Sequence, residues 1–510
     1  MPLLLIAGII CLCWGWLLML PDDFENMAQS VVATNFFGNN ILQAITTSNY
    51  WDVVNEYKPL MHTWYVGLLM QFYIVIPLLS FIIGKRIKDR NKREKANITL
   101  FTLIGVVSLI LYLIEPKTAS KFYYLPYRLY EFCAGGLIFY LFGKRTQATQ
   151  STFFNTAFVL AYIGLLLLLF VDAEYVSRPT RLLITVGLSS CLMAIMPRVE
   201  LAKGKLFANK WVAGIGIASY SIFVWHQVVL ALMRYSFTDK VTETAPLVLL
   251  IGITAALSFL AYKYIERIKQ TKIVWSLITF VLLLTTATSL YIYKNAGVVR
   301  DVPELEVVKG HTHRGMWAEY CDRAYQHDKN FSSTNKPKWF VIGNSVARDF
   351  VNIISESKMK ELVEVSYSNP NTYQKSLDRF SQADYVFIAN LPLNDSFVEE
   401  VRSHCPQKTK VFIVGEKNFG ECNGQIYRHR FETNFHDMTT EIDEEYLKKN
   451  RQFKAKYRDG FIDMIEFVRQ PNGNVKVFTN DGRFISQDCI HLTKAGAQYY
   501  ATLIDWTRFR

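Results

Sequence analysis

Along residues 1–299 the chain repeats one pattern, an apolar run followed by a short polar or basic connection. A bilayer core about 30 Å thick needs ~20 mostly apolar residues per helix. Nine such runs lie at about 1–20, 64–84, 97–114, 127–142, 153–171, 181–197, 212–234, 246–263 and 273–293. A few are short, and 127–142 carries charges, so the number is open by one. Buried helices of a large soluble protein would not place so many long apolar runs so close together. The pattern predicts a multi-span α-helical membrane domain.

From residue 300 the pattern changes. Charged and apolar residues mix, and short strand-like runs appear in Lys338-Trp339-Phe340-Val341-Ile342, at 384–389 and at 410–414. Runs of this length, rich in β-branched and aromatic residues, read as buried strands. Their alternation with helical stretches predicts an α/β domain with a mostly parallel sheet. The division is therefore 1–299 and 300–510, within the two to four domains that roughly 100–200 residues per domain allow.

Composition narrows the classes. The chain is 51% apolar and only 20% charged, against about 25% charged in soluble domains, which excludes a disordered chain. Its net charge of +12 is uneven: residues 1–299 hold 26 Lys/Arg and 15 Asp/Glu, residues 300–510 hold 30 and 29. The basic excess lies in the apolar half and reflects membrane topology. Nucleic acid, which needs a basic soluble face, is not an expected partner. One set of alternate loops contains seventeen Lys/Arg and the other eight. The seventeen are expected to face the cytoplasm, which, with an odd number of spans, puts residues 294–510 outside it. Met1 opens directly into an apolar run with neither the basic n-region nor the cleavage site of a signal peptide. The expectation is a chain that begins inside a larger membrane domain.

Ionisable groups within spans are costly and mark function more often than they would in a soluble core. Arg128 and Glu131 are three apart on one helical face, His62 opens the second run, and His226 ends Ser219-Tyr220-Ser221-Ile222-Phe223-Val224-Trp225-His226. By the topology above all four fall toward the extracytoplasmic side. Taken singly they are equally readable as interfacial anchors or structural pairs; together they point to a polar cavity.

Four segments then carry a resemblance. Residues 59–73, with Leu60-Met61-His62-Thr63-Trp64 and Gln71-Phe72-Tyr73, resemble the "L-H-T-W-S-L-x-V-E-E-Q-F-Y" segment of membrane acyltransferase family 3. Tyr124-Leu125-Pro126-Tyr127-Arg128-Leu129-Tyr130-Glu131 is similar to its "Y-L-P-x-R-x-W-E", Ser219 to His226 to its "S-Y-S-L-Y-L-W-H", and Tyr264-Ile265-Glu266 to its "Y-x-E". The motifs are weak singly and specific in this order. The resemblance implies a bacterial integral-membrane O-acyltransferase that modifies cell-surface glycans. Leu69 and Met70 stand where the family usually has two acidic residues, so no role for those carboxylates carries over. The family's first two spans, with the arginine–histidine motif implicated in acyl transfer, have no counterpart, and residues 1–23 look like the third span. The expectation that follows is a chain without acetyl-CoA-dependent glycan acetylation of its own.

In the second half, Gly343-Asn344-Ser345 follows the first strand candidate, and Asp488-Cys489-Ile490-His491 lies near the C-terminus. A serine at a helix N-terminus, with a histidine base oriented by an aspartate, is an arrangement for acyl transfer through a covalent intermediate. This pairing resembles the SGNH (GDSL-like) esterase and acetyltransferase domains often fused to that membrane family. The resemblance implies Ser345 as nucleophile, His491 as base and Asp488 as orienter, with Asn394, and second Asn390, as oxyanion donor. Asn344 replaces the usual aspartate before the serine. A degenerate domain that only binds glycan is the alternative.

Cys321, Cys405, Cys422 and Cys489 fit no zinc spacing, and an oxidising exterior allows one or two disulfides among them. Cys11, Cys13, Cys133 and Cys191 lie in spans and read as packing residues. His311 and His313 have no third ligand nearby, so no metal is expected. The function expected is an O-acyltransferase, in the first instance an O-acetyltransferase, of the bacterial inner membrane with its C-terminal domain periplasmic. It would hold no bound cofactor, take acyl groups from acetyl-CoA or another acyl-CoA, and pass them to a surface polysaccharide or lipid-linked glycan. The rivals are an extracytoplasmic carbohydrate acetyl-esterase and a non-enzymatic transporter or scaffold for a glycan.

Overall fold

Apolar runs of this length satisfy their backbone polar groups internally only as helices, and each of the nine runs lies on helix. The computed structural model describes residues 1–46, 57–143, 152–171, 175–199, 209–237, 241, 243–309, 316–332, 335–390, 392–420 and 423–509. Among the described residues four helices are long and apolar enough to cross a membrane: Met61–Arg86, Arg90–Ile114, Thr244–Glu266 and Lys272–Lys294. The pair Lys210–Ile217 and Ser219–Ser236, bent by 64° at Ala218, is long and apolar enough only when taken together, as a broken span or a re-entrant loop. The other expected spans are shorter helices, Pro2–Leu18, Leu129–Phe142, Thr152–Leu167 and Pro179–Ile195. Hydropathy located the helices but overstated how many are of full spanning length.

The described chain forms two compact units. The first comprises Met1–Cys11, Gln29–Met233 and Lys240–Ala287. Its long helices turn apolar side chains such as Leu113, Ile114, Leu260 and Phe280 outward, as a lipid-facing surface requires. Its interior carries a polar seam. Thr34 and Thr63 share a hydroxyl hydrogen bond of 2.8 Å, and Asn39 Nδ2 donates to Thr63 Oγ1 at 2.7 Å and to the Leu60 carbonyl at 2.8 Å. Asn40 Nδ2 donates to the Tyr123 carbonyl at 3.1 Å, while its own oxygen accepts from Gln71 Nε2 at 2.9 Å. Gly67 makes this approach possible, because a Cβ there would sit 2.7 Å from Asn40 Oδ1.

The second unit comprises Leu12–Ala28, Arg234–Asp239 and Thr288–Arg510. Its strands are β1 (Lys338–Ile342), β2 (Glu364–Ser368), β3 (Tyr385–Ile388), β4 (Lys410–Val414), β5 (Thr439–Thr440), β6 (Phe461–Ile462) and β7 (Val475–Lys476). β5 and β7 form a small antiparallel pair. The other five make one parallel sheet in the order β2-β1-β3-β4-β6. Both faces are covered, as parallel sheets require. Phe340 and Ile342 pack with Phe380, Val386, Val398 and Val401 on one side. On the other, the Trp339 and Phe387 rings pack at 5.1 Å, and both meet Phe509. The chain leaves β1 for β2 and returns to β3 on the opposite flank. In open parallel sheets such a reversal opens a crevice at the carboxyl ends of the two central strands. Ser345 follows β1 at that point, and Asn390 follows β3.

Candidate active site

The turn after β1 is pinned on both sides. Gly343 adopts φ +150°, and a Cβ there would lie 1.8 Å from the Ala389 carbonyl oxygen, so only glycine fits against the end of β3. The Gly343 amide donates to the Ser368 carbonyl at 3.2 Å, and the Tyr367 hydroxyl donates to the Gly343 carbonyl at 3.1 Å. Asn344 is the N-cap of helix Ser345–Glu356, its side chain accepting from the Val346 amide at 3.3 Å. Ser345 is thereby held in the first turn of that helix, where backbone N–H groups and the helix dipole favour negative charge.

His491 and Ser345 are buried, and His491 Nε2 lies 2.9 Å from Ser345 Oγ. On the other side of the ring, His491 Nδ1 lies 2.5 Å from Asp488 Oδ2. These partners assign the tautomer: Nδ1–H donates to the carboxylate, and Nε2 accepts the serine proton. Asp488 Oδ1 also accepts from the amides of Ile490 at 3.0 Å and His491 at 2.8 Å. Between them Cys489 sits at φ +88°, an unusual conformation for a residue with a Cβ. Burial alone would raise the Asp488 pKa. The His491 ring and the two amides outweigh it and hold the carboxyl below its ordinary value. A serine, a base and an ionised orienter thus lie in one hydrogen-bonded line.

Two residues not singled out in the sequence brace this line. Asp349, one turn after Ser345 on the same helix, accepts from the Leu492 amide at 3.2 Å and pairs with Lys417 Nζ at 3.0 Å. Both side chains of the pair are buried. The Phe419 amide donates to the Cys489 carbonyl at 2.9 Å, so the Lys417–Phe419 segment also holds the base loop. The clue in the sequence was an acidic residue four positions after the serine, but no pattern names its lysine 68 positions on.

A second surprise is an acidic pair. Asp22 and Asp23 open helix Pro21–Asn35, within the part of that helix that belongs to the second unit. Asp22 Oδ2 lies 3.5 Å from Gln487 Nε2, next to Asp488 in the chain. Asp23 is hydrogen-bonded by Tyr235. Burial, then the charges of Asp23, Asp488 and Glu25, push the Asp22 pKa up to about 7. Burial also lifts Asp23, to about 6, with Tyr235 opposing and Asp488 adding to the rise.

The two oxyanion candidates differ in surroundings. The Asn394 oxygen is committed to capping helix Asp395–Ser403, accepting from the Phe397 amide at 2.7 Å and the Ser396 hydroxyl at 3.0 Å. Asn390 directly follows Ala389, whose carbonyl packs on Gly343, and its Oδ1 is buried with no hydrogen-bond partner among the described residues.

In the first unit the four polar candidates form two pairs. The His62 and His226 rings meet edge to face at 5.2 Å, and His226 Nδ1 donates to the Phe223 carbonyl at 2.7 Å. Arg128 Nε and Glu131 Oε1 are 3.0 Å apart, with the guanidinium 5.8 Å over Trp64. Aromatic contacts bridge the pairs: Phe223 touches both His62 and Tyr65, and Tyr65 stacks on Phe132. Two motifs also meet, Ser221 Oγ donating to Glu266 at 2.5 Å.

Among the described residues no group of three His, Cys, Asp or Glu is placed to hold a metal. Cys321 and Cys405 are free thiols. Cys422, His311 and His313 lie outside the described residues.

Residues 2–263 match the family model described as an acyltransferase domain. A putative O-acetyltransferase of Staphylococcus aureus (strain COL) is 22% identical over 262 residues, 49% of this chain and 42% of that protein. The peptidoglycan O-acetyltransferase OatA of Listeria monocytogenes is 23% identical over 253 residues, 48% of this chain and 41% of its own. The putative peptidoglycan O-acetyltransferase YrhL of Bacillus subtilis is 25% identical over 276 residues, 50% and 42% of the two chains. The chain spans about two fifths of the length of these curated relatives. No solved structure matches it.

Proposed function

The chain belongs to the acyltransferase family whose domain it matches over residues 2–263, and from that premise we propose a membrane O-acetyltransferase that acylates a hydroxyl of a cell-envelope glycan. The observation that carries the reading is the Asp488–His491–Ser345 line in the second unit of a chain whose first part is an acyltransferase domain. The names of two relatives support a glycan acceptor of the peptidoglycan class; a surface polysaccharide or lipid-linked glycan offers the same sugar hydroxyl. Acetyl-CoA or another acyl-CoA on the cytoplasmic side is the proposed donor. His62, His226, Arg128 and Glu131 are the proposed membrane-domain site through which the acyl group passes.

In the proposed chemistry Ser345 Oγ attacks the acyl carbonyl while His491 Nε2 takes its proton. The leaving group departs with that proton, giving an acyl-serine. A sugar hydroxyl then attacks the acyl-serine, passes its proton to His491, and Ser345 is released. The amides of the first helical turn are the proposed oxyanion donors, together with the side-chain amide nitrogen of Asn394 or, second, of Asn390. Asp488 keeps Nδ1 protonated and balances the imidazolium.

The test is acetylation of envelope glycan by membranes carrying the chain, alongside turnover of an activated acetyl ester. Ser345→Ala and His491→Ala should each lower ester turnover by about 10³-fold or more, and the double variant should be little worse than either single. Undiminished turnover in Ser345→Ala rejects the nucleophile. Acetate released at the same rate with and without a glycan acceptor would make the centre an esterase instead.

A further inference from the structure

The second unit carries an exposed aromatic and basic turn that the proposed chemistry leaves unused. Tyr427-Arg428-His429-Arg430-Phe431 ends on a phenylalanine whose side chain is 86% exposed. Its two arginines reach main-chain oxygens at the ends of two apolar helices. Arg430 Nη2 donates to the Leu17 carbonyl at 3.1 Å, in the last turn of Pro2–Leu18. Arg428 Nη1 donates to the Arg234 carbonyl at 3.2 Å, in the last turn of Ser219–Ser236. The last carbonyls of a helix have no donor within it and carry partial negative charge, so a guanidinium is a fitting cap. The turn therefore lies level with the ends of both helices.

What surrounds those ends is apolar and exposed. Phe237, just past the second helix, is 71% exposed, and Trp16 and Leu17 at the end of the first are 53% and 54% exposed. The Arg430 guanidinium stacks 4.3 Å over Phe431 and 4.7 Å over Tyr427. Aromatic rings and arginines gathered where apolar helices stop are what the boundary between lipid and water selects. The rings sit at headgroup level and the cations reach toward phosphate.

We propose that the 427–431 turn is an interfacial membrane anchor, with Phe431 in the headgroup–acyl boundary of the bilayer and Arg428 and Arg430 at the phosphate level. The occupant is lipid because the patch is continuous with the ends of two apolar helices. A sugar ring stacked on Phe431 or a second polypeptide would not require that alignment. The anchor is independent of whether the Ser345 centre transfers or hydrolyses.

The test places a photocrosslinking p-benzoylphenylalanine at Phe431 in the full chain, reconstituted in liposomes of phosphatidylethanolamine and phosphatidylglycerol. Leu362, half exposed and just before β2, at the amino ends of the strands whereas Ser345 follows the carboxyl end of β1, is the control position. Irradiation should give a peptide adduct of phospholipid mass at 431 in several-fold higher yield than at 362. Equal yields at the two positions, or adducts at 431 only with polypeptide or added glycan, would overturn the anchor. The Phe431 side chain is exposed on the protein surface, so the substitution leaves the fold intact and the yield reports location alone.

Discussion

Burial raises the proton affinity of a carboxyl group unless a cation or donor compensates, and the second unit holds both outcomes close together. Asp488 has His491 and two amides and stays ionised. Asp22 has like charges around it and binds its proton up to about pH 7. Unfolding returns Asp22 to its ordinary value of 3.8. The folded chain then holds more protons than the unfolded one between about pH 4 and 7, and stability falls as pH rises through that window. Asp23, lifted to about 6, contributes with the same sign over a narrower range. The Asp22→Asn/Asp23→Asn variant should therefore melt above the parent chain by a margin that grows from pH 5 to pH 8. A margin independent of pH would mean that both carboxyls are already ionised. Asp488 carries the opposite sign: its stabilisation is lost only as pH falls below the ordinary carboxylate range. The triad residues were legible because each lies in a short motif with a chemical reason for its spacing. The acidic pair was not, since Asp22 and Gln487 are 465 positions apart and nothing local joins them.

Helix Ser345–Glu356 shows what an amphipathic pattern conveys and what it conceals. Its buried Val346, Ala347, Phe350, Val351, Ile353 and Ile354 fix which face meets the sheet. Asp349 lies buried among them, a position that apolar periodicity would assign to a hydrophobe. Its partner Lys417 is legible only in three dimensions. Removing one member of a buried pair strands the other charge, at about 3–5 kcal/mol, whereas removing both costs much less. Asp349→Asn and Lys417→Met should each destabilise the second unit by roughly that amount, and the double variant by clearly less than the sum. Denaturant titration followed by tryptophan fluorescence, with Trp339 and Trp506 in the sheet-side core, reads this directly. Additive losses would show that the two charges do not compensate each other. At the same scale the parallel strands were legible as short β-branched runs. Helix lengths in the membrane-type unit were not, because a hydropathy window does not register a bend such as that at Ala218. Helix Pro21–Asn35 escaped notice because it is not apolar: it carries the acidic pair and, in Thr34, one member of the polar seam.

Orientation across the membrane belongs to the whole molecule. The last long helix, Lys272–Lys294, precedes nearly all of the second unit. Within about 20 positions of its ends lie Lys263, Arg267, Lys269 and Lys272 on one side and Lys294, Arg300, Lys309 and Arg314 on the other. Basic residues within about 15–20 positions of a span end are retained on the cytoplasmic side. The local balance is even, so the expected cytoplasmic 263–272 segment and external C-terminus rest on the seventeen-to-eight bias over the whole apolar half. That orientation also suits the proposed chemistry, since a glycan acceptor outside the cell meets Ser345 only if the second unit is outside as well. Alkaline phosphatase fused after Arg510 should be active and green fluorescent protein fused there dark. With the chain truncated at Gln270, before the last span, the two reporters should exchange behaviour. Fluorescence from the full-length fusion would turn the last helix around. It would also put the Ser345 centre on the acyl-CoA side of the membrane, where an envelope glycan could not be its acceptor.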